Sequence, residues 1–191
     1  MFLGMIENSN IIFIGGMHGV GKTTFINEVK AQCPSIVCLS CSTLLNWSDP
    51  TYKEVDSIDA NQQVLLVNLP HFIEDDKSYL LDGHFCLLTA QGRVERVPME
   101  VFQAIRSRMI VVLEANLELI SQRLQTRDNK AYSIPMLGAF QQEEVRYARK
   151  VARTLHVPFL VCADENRCEV ITEVMKLLRG RSMMRRKYSI K

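Results

Sequence analysis

The sequence predicts an α/β fold: a parallel five-stranded sheet with helices on both faces. Two apolar runs carry this expectation, Ile11-Ile12-Phe13-Ile14 and Met109-Ile110-Val111-Val112-Leu113. Each is continuous rather than alternating, as strands buried on both faces are. Short apolar segments also alternate with segments of helical spacing, the pattern of right-handed strand–helix–strand crossovers. A third observation is a glycine-rich turn between the first strand and the first helix, and it places the chemistry.

That turn reads Gly15-Gly16-Met17-His18-Gly19-Val20-Gly21-Lys22-Thr23-Thr24. Gly16-x-x-x-x-Gly21-Lys22-Thr23 satisfies the phosphate-loop pattern, in the strand–loop–helix setting that supports it. Glycines let the backbone turn tightly and aim its N–H groups at phosphate oxygens, and the helix start adds the positive end of its dipole. Gly16, Gly19, Val20, Gly21, Lys22, Thr23 and Thr24 are therefore the expected cradle. Lys22 is placed to reach the β- and γ-phosphates, and the Thr23 hydroxyl to ligate Mg²⁺. The chain is expected to bind a nucleoside triphosphate.

The remaining elements follow in order. The first helix should run from Lys22 to about Gln32, stopped by Cys33-Pro34. Ser35 to Ser40 reads as the second strand, and Ser42-Thr43-Leu44-Leu45 as a capped helical turn at its carboxyl end, where ligands sit in an open parallel sheet. Residues 41–63 form an excursion, polar from Asn46 to Asp59 and helical from Asn61 to Leu69, where Pro70 ends it. Ser78 to His84 is a short strand ending in an acid, and Phe85 to Val97 a loop. Pro98 opens a helix that turns Val101, Phe102 and Ile105 inward. After the Met109–Leu113 strand, Asn116 caps a helix with Leu117, Ile120 and Leu124 inward. Asp128 to Pro135 is a short polar loop, and a long helix follows to about His156. Val157 to Val161 is the last strand, and Asn166-x-x-Glu169 caps a final helix expected to stop at Gly180. No linker or internal repeat is visible, so residues 1–180 read as one domain and 181–191 as a tail.

Composition narrows the class. The 191 residues are 47% apolar, enough for a sizeable core, with a formal net charge of +2 and so no global field for nucleic acid or membrane. The tail from Gly180 is basic without an acid. No signal peptide is read at the start, and no apolar run approaches the ~20 residues a membrane helix needs. Cys38-x-x-Cys41 is half of a zinc signature with no second half, so Cys33, Cys38, Cys41, Cys86, Cys162 and Cys168 are expected as free thiols in a cytoplasmic protein.

Asp82 is the second anchor. A phosphate loop needs a carboxylate from a neighbouring strand to hold Mg²⁺, and Tyr79-Leu80-Leu81-Asp82 supplies one. Glu114, at the end of the next strand, is a weaker rival. His84 would face the same side as Asp82, to bind an acceptor phosphate or to cap the loop. Arg123 and Arg127 share a helix face. Ala148, Val151, Ala152 and Leu155 form the inward stripe of the long helix, with Arg146, Arg149 and Arg153 opposite. Arg123, Arg127 and Arg146 flank the 128–135 loop as a lid would require, whereas Arg149 and Arg153 read as surface.

These motifs resemble adenylate-kinase-type nucleoside monophosphate kinases, on the glycine-rich loop, Leu80-Leu81-Asp82-Gly83-His84, Arg123-x-x-x-Arg127-Asp128 and Glu143-Glu144-Val145-Arg146. The archaeal-type adenylate kinases are nearest, and the resemblance spans about Asn10 to Leu178. It implies an ATP- and Mg²⁺-dependent kinase of the P-loop NTPase fold. It also implies that Arg123 packs on adenine, that Arg127 and Arg146 contact transferring phosphates, and that Ser42, Thr43, Gln62 and Gln63 shape the acceptor site. Two departures stand out: Phe85-Cys86 replaces the Pro-Arg that follows the Asp-Gly of the common form, and no arginine lies between Ser40 and Gln63. The leading expectation is phosphoryl transfer to a small phosphorylated acceptor, a nucleotide. One alternative is an ATP-hydrolysing switch that uses the basic tail on RNA or a protein partner. The other is a kinase for a nucleoside or polynucleotide hydroxyl, with Asp82 as base.

Overall fold

The computed structural model describes residues 10–45, 64–89, 93–129 and 131–188. Its strands are β1 (Ile11–Gly15), β2 (Val37–Ser40), β3 (Tyr79–Asp82), β4 (Cys86–Leu88), β5 (Val94–Arg96), β6 (Met109–Leu113) and β7 (Phe159–Cys162). Five of them form one sheet in the order β2-β3-β1-β6-β7, with every neighbouring pair parallel. All residues of β1 and β6 are buried, so both faces of the sheet's centre are covered, as their unbroken apolar runs predict.

The helices are α1 (Lys22–Gln32), α2 (Cys41–Leu45), α3 (64–68), α4 (Met99–Ile105), α5 (Leu117–Asp128), α6 (Ile134–Leu155) and α7 (Arg167–Tyr188). α1 packs with α7, while α6 packs with α4, α5 and β6. Capping follows chain chemistry where the sequence offers it. The Asn116 side chain accepts from Leu119 N–H at 3.0 Å to start α5, and Ser133 accepts from Met136 N–H at 3.3 Å to start α6. His156, in the left-handed region at φ 54°, ends α6.

Four expectations change. The 85–97 segment is not a loop: β4 and β5 pair antiparallel as a hairpin, a second sheet beside the first. α5 continues through Asp128, so the expected 128–135 loop shrinks to residues 129–133. Asn166 directly precedes α7, as expected of its cap, but its side chain turns back to accept from Ala163 N–H at 2.8 Å instead of bonding the helix start. α7 also passes through Gly180 to Tyr188, because a single glycine lowers helix propensity by only ~1 kcal/mol and does not oblige a stop. All six cysteines are free, and no helix among the described residues is long and apolar enough to cross a membrane.

Candidate active site

Register brings the candidate residues together. Ile14 on β1 lies opposite Asp82 on β3, which in turn lies opposite Ser40 on β2. Three strand ends thus open on the loop that follows β1. In that loop Gly16, Gly19 and Gly21 have φ of 138°, 81° and 103°, values that a side chain would strain. Lys22 and Thr23 then open α1.

A cavity of about 650 Å³ lies over these strand ends. Gly19, Gly21, Lys22, Thr23 and Thr24 line it from the loop side, and Asp82, His84 and Ser42 from the other. Arg123 and Arg127 reach it from α5. Arg123 Nη1 donates to Gly19 O at 2.9 Å, and Arg127 Nη1 to His18 Nδ1 at 3.5 Å. Gly16 and Val20 stand behind the lining, with Val20 buried beneath the loop.

Lys22 is 8% exposed, donates to Gly16 O at 2.7 Å, and lies 3.8 Å from the Asp82 carboxylate. Burial lowers the Lys22 pKa despite Asp82, and burial raises that of Asp82 despite Lys22. Each charge is therefore under-compensated by the other. A phosphate at Lys22 and a cation at Asp82 would relieve both. The hydroxyl of Thr23 and the carboxylate of Asp82 are the hard oxygen donors that Mg²⁺ takes alongside phosphate and water. Glu114 does not line the cavity.

His84 sits between the two ends of the site. Its ring lies 4.3 Å from that of His18, and burial together with Lys22 holds its pKa down to about 3. Its Nδ1 is 3.4 Å from Oε1 of Glu144, a residue on α6 that sequence reading did not single out. Glu144 is buried, and burial raises its pKa to about 7. The signal was present. Glu144 stands four residues before Ala148, on the stripe that continues to Val151, Ala152 and Leu155, so a carboxyl occupies an otherwise apolar face.

The same helical arithmetic accounts for where Arg146 stands. It shares the outer face with Arg149 and Arg153, and its side chain is 71% exposed. There it donates to Glu143, which also accepts from Arg96 Nε at 2.7 Å. Arg146 does not join Arg123 and Arg127 at the cavity. Thr43 is exposed and outside the lining, while Ser42 is in it, with its hydroxyl 2.8 Å from that of Ser40. Gln62 and Gln63 lie outside the described residues. Arg167, at the start of α7, was also missed. Its Nη2 and the Nη1 of Arg123 stand 3.9 and 3.7 Å from where a Cβ on Gly21 would be, so two guanidinium groups approach Gly21.

Loop, parallel sheet and cavity define the class, a P-loop kinase-like domain. Residues 15–134 match the model of the AAA domain family, and the chain belongs to that family. Among solved structures, a gluconokinase from Sinorhizobium meliloti 1021 aligns over 93% of this chain and 96% of its own, at 13% identity and a TM-score of 0.52. A shikimate kinase from Acinetobacter baumannii, in complex with shikimate, aligns over 94% and 98%, at 14% identity and a TM-score of 0.55. At such identities the likeness is one of fold, and neither neighbour is an adenylate kinase. No curated protein matches the sequence.

Proposed function

We propose that the chain is an ATP-dependent phosphotransferase acting on a small-molecule acceptor. One observation carries this reading: Lys22 and Asp82 stand 3.8 Å apart beside three glycines of positive φ, on a cavity that Arg123 and Arg127 also line. Phosphoryl transfer is mostly positioning and charge stabilisation, and these groups can supply both. The loop amides, Lys22 and Arg127 would hold the donor phosphates, and Arg123 the base. Thr23 and Asp82 would hold Mg²⁺, whose chemistry is to bridge and neutralise phosphate oxygens.

The family and the kinase neighbours support the reading at the level of fold. A nucleoside monophosphate acceptor rests on the adenylate-kinase resemblance alone, and without ligand Arg146 stands outward from the cavity. Ser42 and His84 remain the proposed acceptor-side residues, with the His84 ring available to a phosphate or a hydroxyl.

The test is ATP-Mg²⁺ consumption across a panel of nucleoside monophosphates, nucleosides, gluconate and shikimate, with the phosphorylated product measured. One acceptor should raise consumption and yield product in step. Lys22→Ala should lower that turnover by roughly 10²–10³, the cost of losing one preorganised charge-stabilising donor. Slow hydrolysis that ignores every acceptor and rises only with RNA would overturn the kinase reading in favour of a switch.

A further inference from the structure

We propose that Glu144 is a positioning residue of this site: from α6 it holds the turn after Asp82 and sets the His84 imidazole against the phosphate loop. The inference rests on the reading of the cavity as a phosphotransfer site and adds a residue that no motif assigns.

The geometry is a set of three contacts from one carboxyl. Oε2 accepts from Phe85 N–H at 2.8 Å and from Cys86 N–H at 3.2 Å. Oε1 faces His84 Nδ1 at 3.4 Å. His84 in turn packs on His18, inside the phosphate loop. A path of direct contacts therefore runs from α6 through residues 84–86 to the loop.

Phe85 adds a second path. A Cβ on Gly15 would stand 2.2 Å from its ring, so Phe85 packs against the root of the loop with no space left between them. Phe13, on β1, and Phe102 hold the same ring at centroid distances of 5.0 and 5.1 Å. Where Phe85 sits decides where the loop begins, and Glu144 holds Phe85 by its N–H.

Packing alone does not call for a carboxyl here. Glu144 is 1% exposed, and burying such a group costs free energy unless its hydrogen bonds are worth keeping. The hairpin has further ties to the same helix. Glu143 bonds Arg96 on β5, and the Tyr147 hydroxyl donates to Val97 O at 2.8 Å. Glu144 differs from these two residues in reaching His84 as well.

The test uses the full chain with Glu144→Ala, Glu144→Gln, His84→Ala and the Glu144→Ala/His84→Ala double variant. The readouts are ATP-Mg²⁺ turnover, ADP-Mg²⁺ affinity by calorimetry, and ring resonances of isotope-labelled histidine. Glu144→Ala should lower turnover by about 10–100-fold, as loss of a partner that orients a site imidazole does. ADP affinity should fall less than turnover does, because Glu144 itself does not line the cavity and acts only through the residues that do. The His84 and His18 resonances should move while those of His71 and His156 stay. His84→Ala should cost a similar factor, and the double variant no more than the worse single one. Glu144→Gln keeps an acceptor for both N–H groups, so it should recover part of the turnover with His84 still displaced.

Wild-type turnover in a folded Glu144→Ala variant would overturn the proposal, as would losses that simply multiply in the double variant. Full recovery of both turnover and ring resonances in Glu144→Gln would reduce Glu144 to a backbone acceptor and overturn it too. If Glu144→Ala does not fold, the Gln variant decides by the same two readouts. Failure of the wild-type chain to bind ADP or turn over ATP is a separate outcome. It overturns the reading of the cavity, while the histidine resonances of the ligand-free variants still decide whether Glu144 sets the ring.

Discussion

Gly15 shows how little slack the residues of this site have. Its glycine is a matter of space, since a Cβ would press on the Phe85 ring. Gly15→Ala should therefore force a shift in the strand or the ring and cost about 1–3 kcal/mol, as overpacking does, read from urea unfolding. Glu144 makes a second prediction at this scale. Its folded pKa of about 7 lies above the ordinary value of 4.5, so the native state holds its proton more tightly than the unfolded chain. The stability it contributes is complete below pH 4.5 and is lost as pH rises through about 7. Wild type should thus lose stability relative to Glu144→Gln over that window, by at most roughly 1.4 kcal/mol per pH unit. Parallel stability curves for the two proteins between pH 4.5 and 7 would show that burial does not hold this proton.

At the scale of elements, α6 packs on α5 near its start, where Leu137 and Phe140 are buried, and is tied to the hairpin in its middle. Glu143, Glu144 and Tyr147 bind β5, the 84–86 turn and Val97, whereas residues 129–133 connect it to α5 across a short span. ATP-Mg²⁺ should then slow hydrogen exchange in the phosphate loop and in residues 123–129, and leave 143–147 unchanged. Protection that spreads evenly along α6 would mean the whole helix swings. What the sequence made legible at this scale, and what it did not, has a physical reason. β6 was readable to the residue, and β1 and α1 to within one, because apolar runs and the glycine–lysine loop each satisfy local rules. The β4–β5 hairpin was not. Its strands are three residues each, too short for period-two alternation to rise above chance, and it is held to α6 by contacts far away in sequence. Arg146 was read with the lid because it follows that loop, while its helical phase with Arg149 and Arg153 turns it outward in this ligand-free structure. Glu144 needed the opposite attention, to a polar residue on an apolar stripe.

For the whole molecule, the site is a property of the sheet order, since β1 places the loop between the ends of β3 and β6. A ligand there touches the fold's centre and should stabilise all of it. At a hundredfold excess over its dissociation constant, ATP-Mg²⁺ should add ~2.7 kcal/mol. For a chain of this size that raises the melting temperature by roughly 5–10 °C. Lys22→Ala should abolish most of the rise in differential scanning calorimetry, and an unchanged rise would place the nucleotide elsewhere.

The position of β1 also sets a timetable. It is made before both of its hydrogen-bonding partners, Tyr79–Asp82 on one edge and Met109–Leu113 on the other. At roughly 5–20 residues per second, the second partner leaves the ribosome on the order of ten seconds after β1 does. Throughout that interval Ile11-Ile12-Phe13-Ile14 is an uncovered apolar strand with an unpaired edge, the kind of segment that seeks partners in other chains. Nascent chains arrested before β6 emerges should therefore be held by chaperones and retain no ATP, while chains arrested beyond β7 should retain it. The glycine-rich loop is thus made well before the strands on either side of β1 that settle its shape.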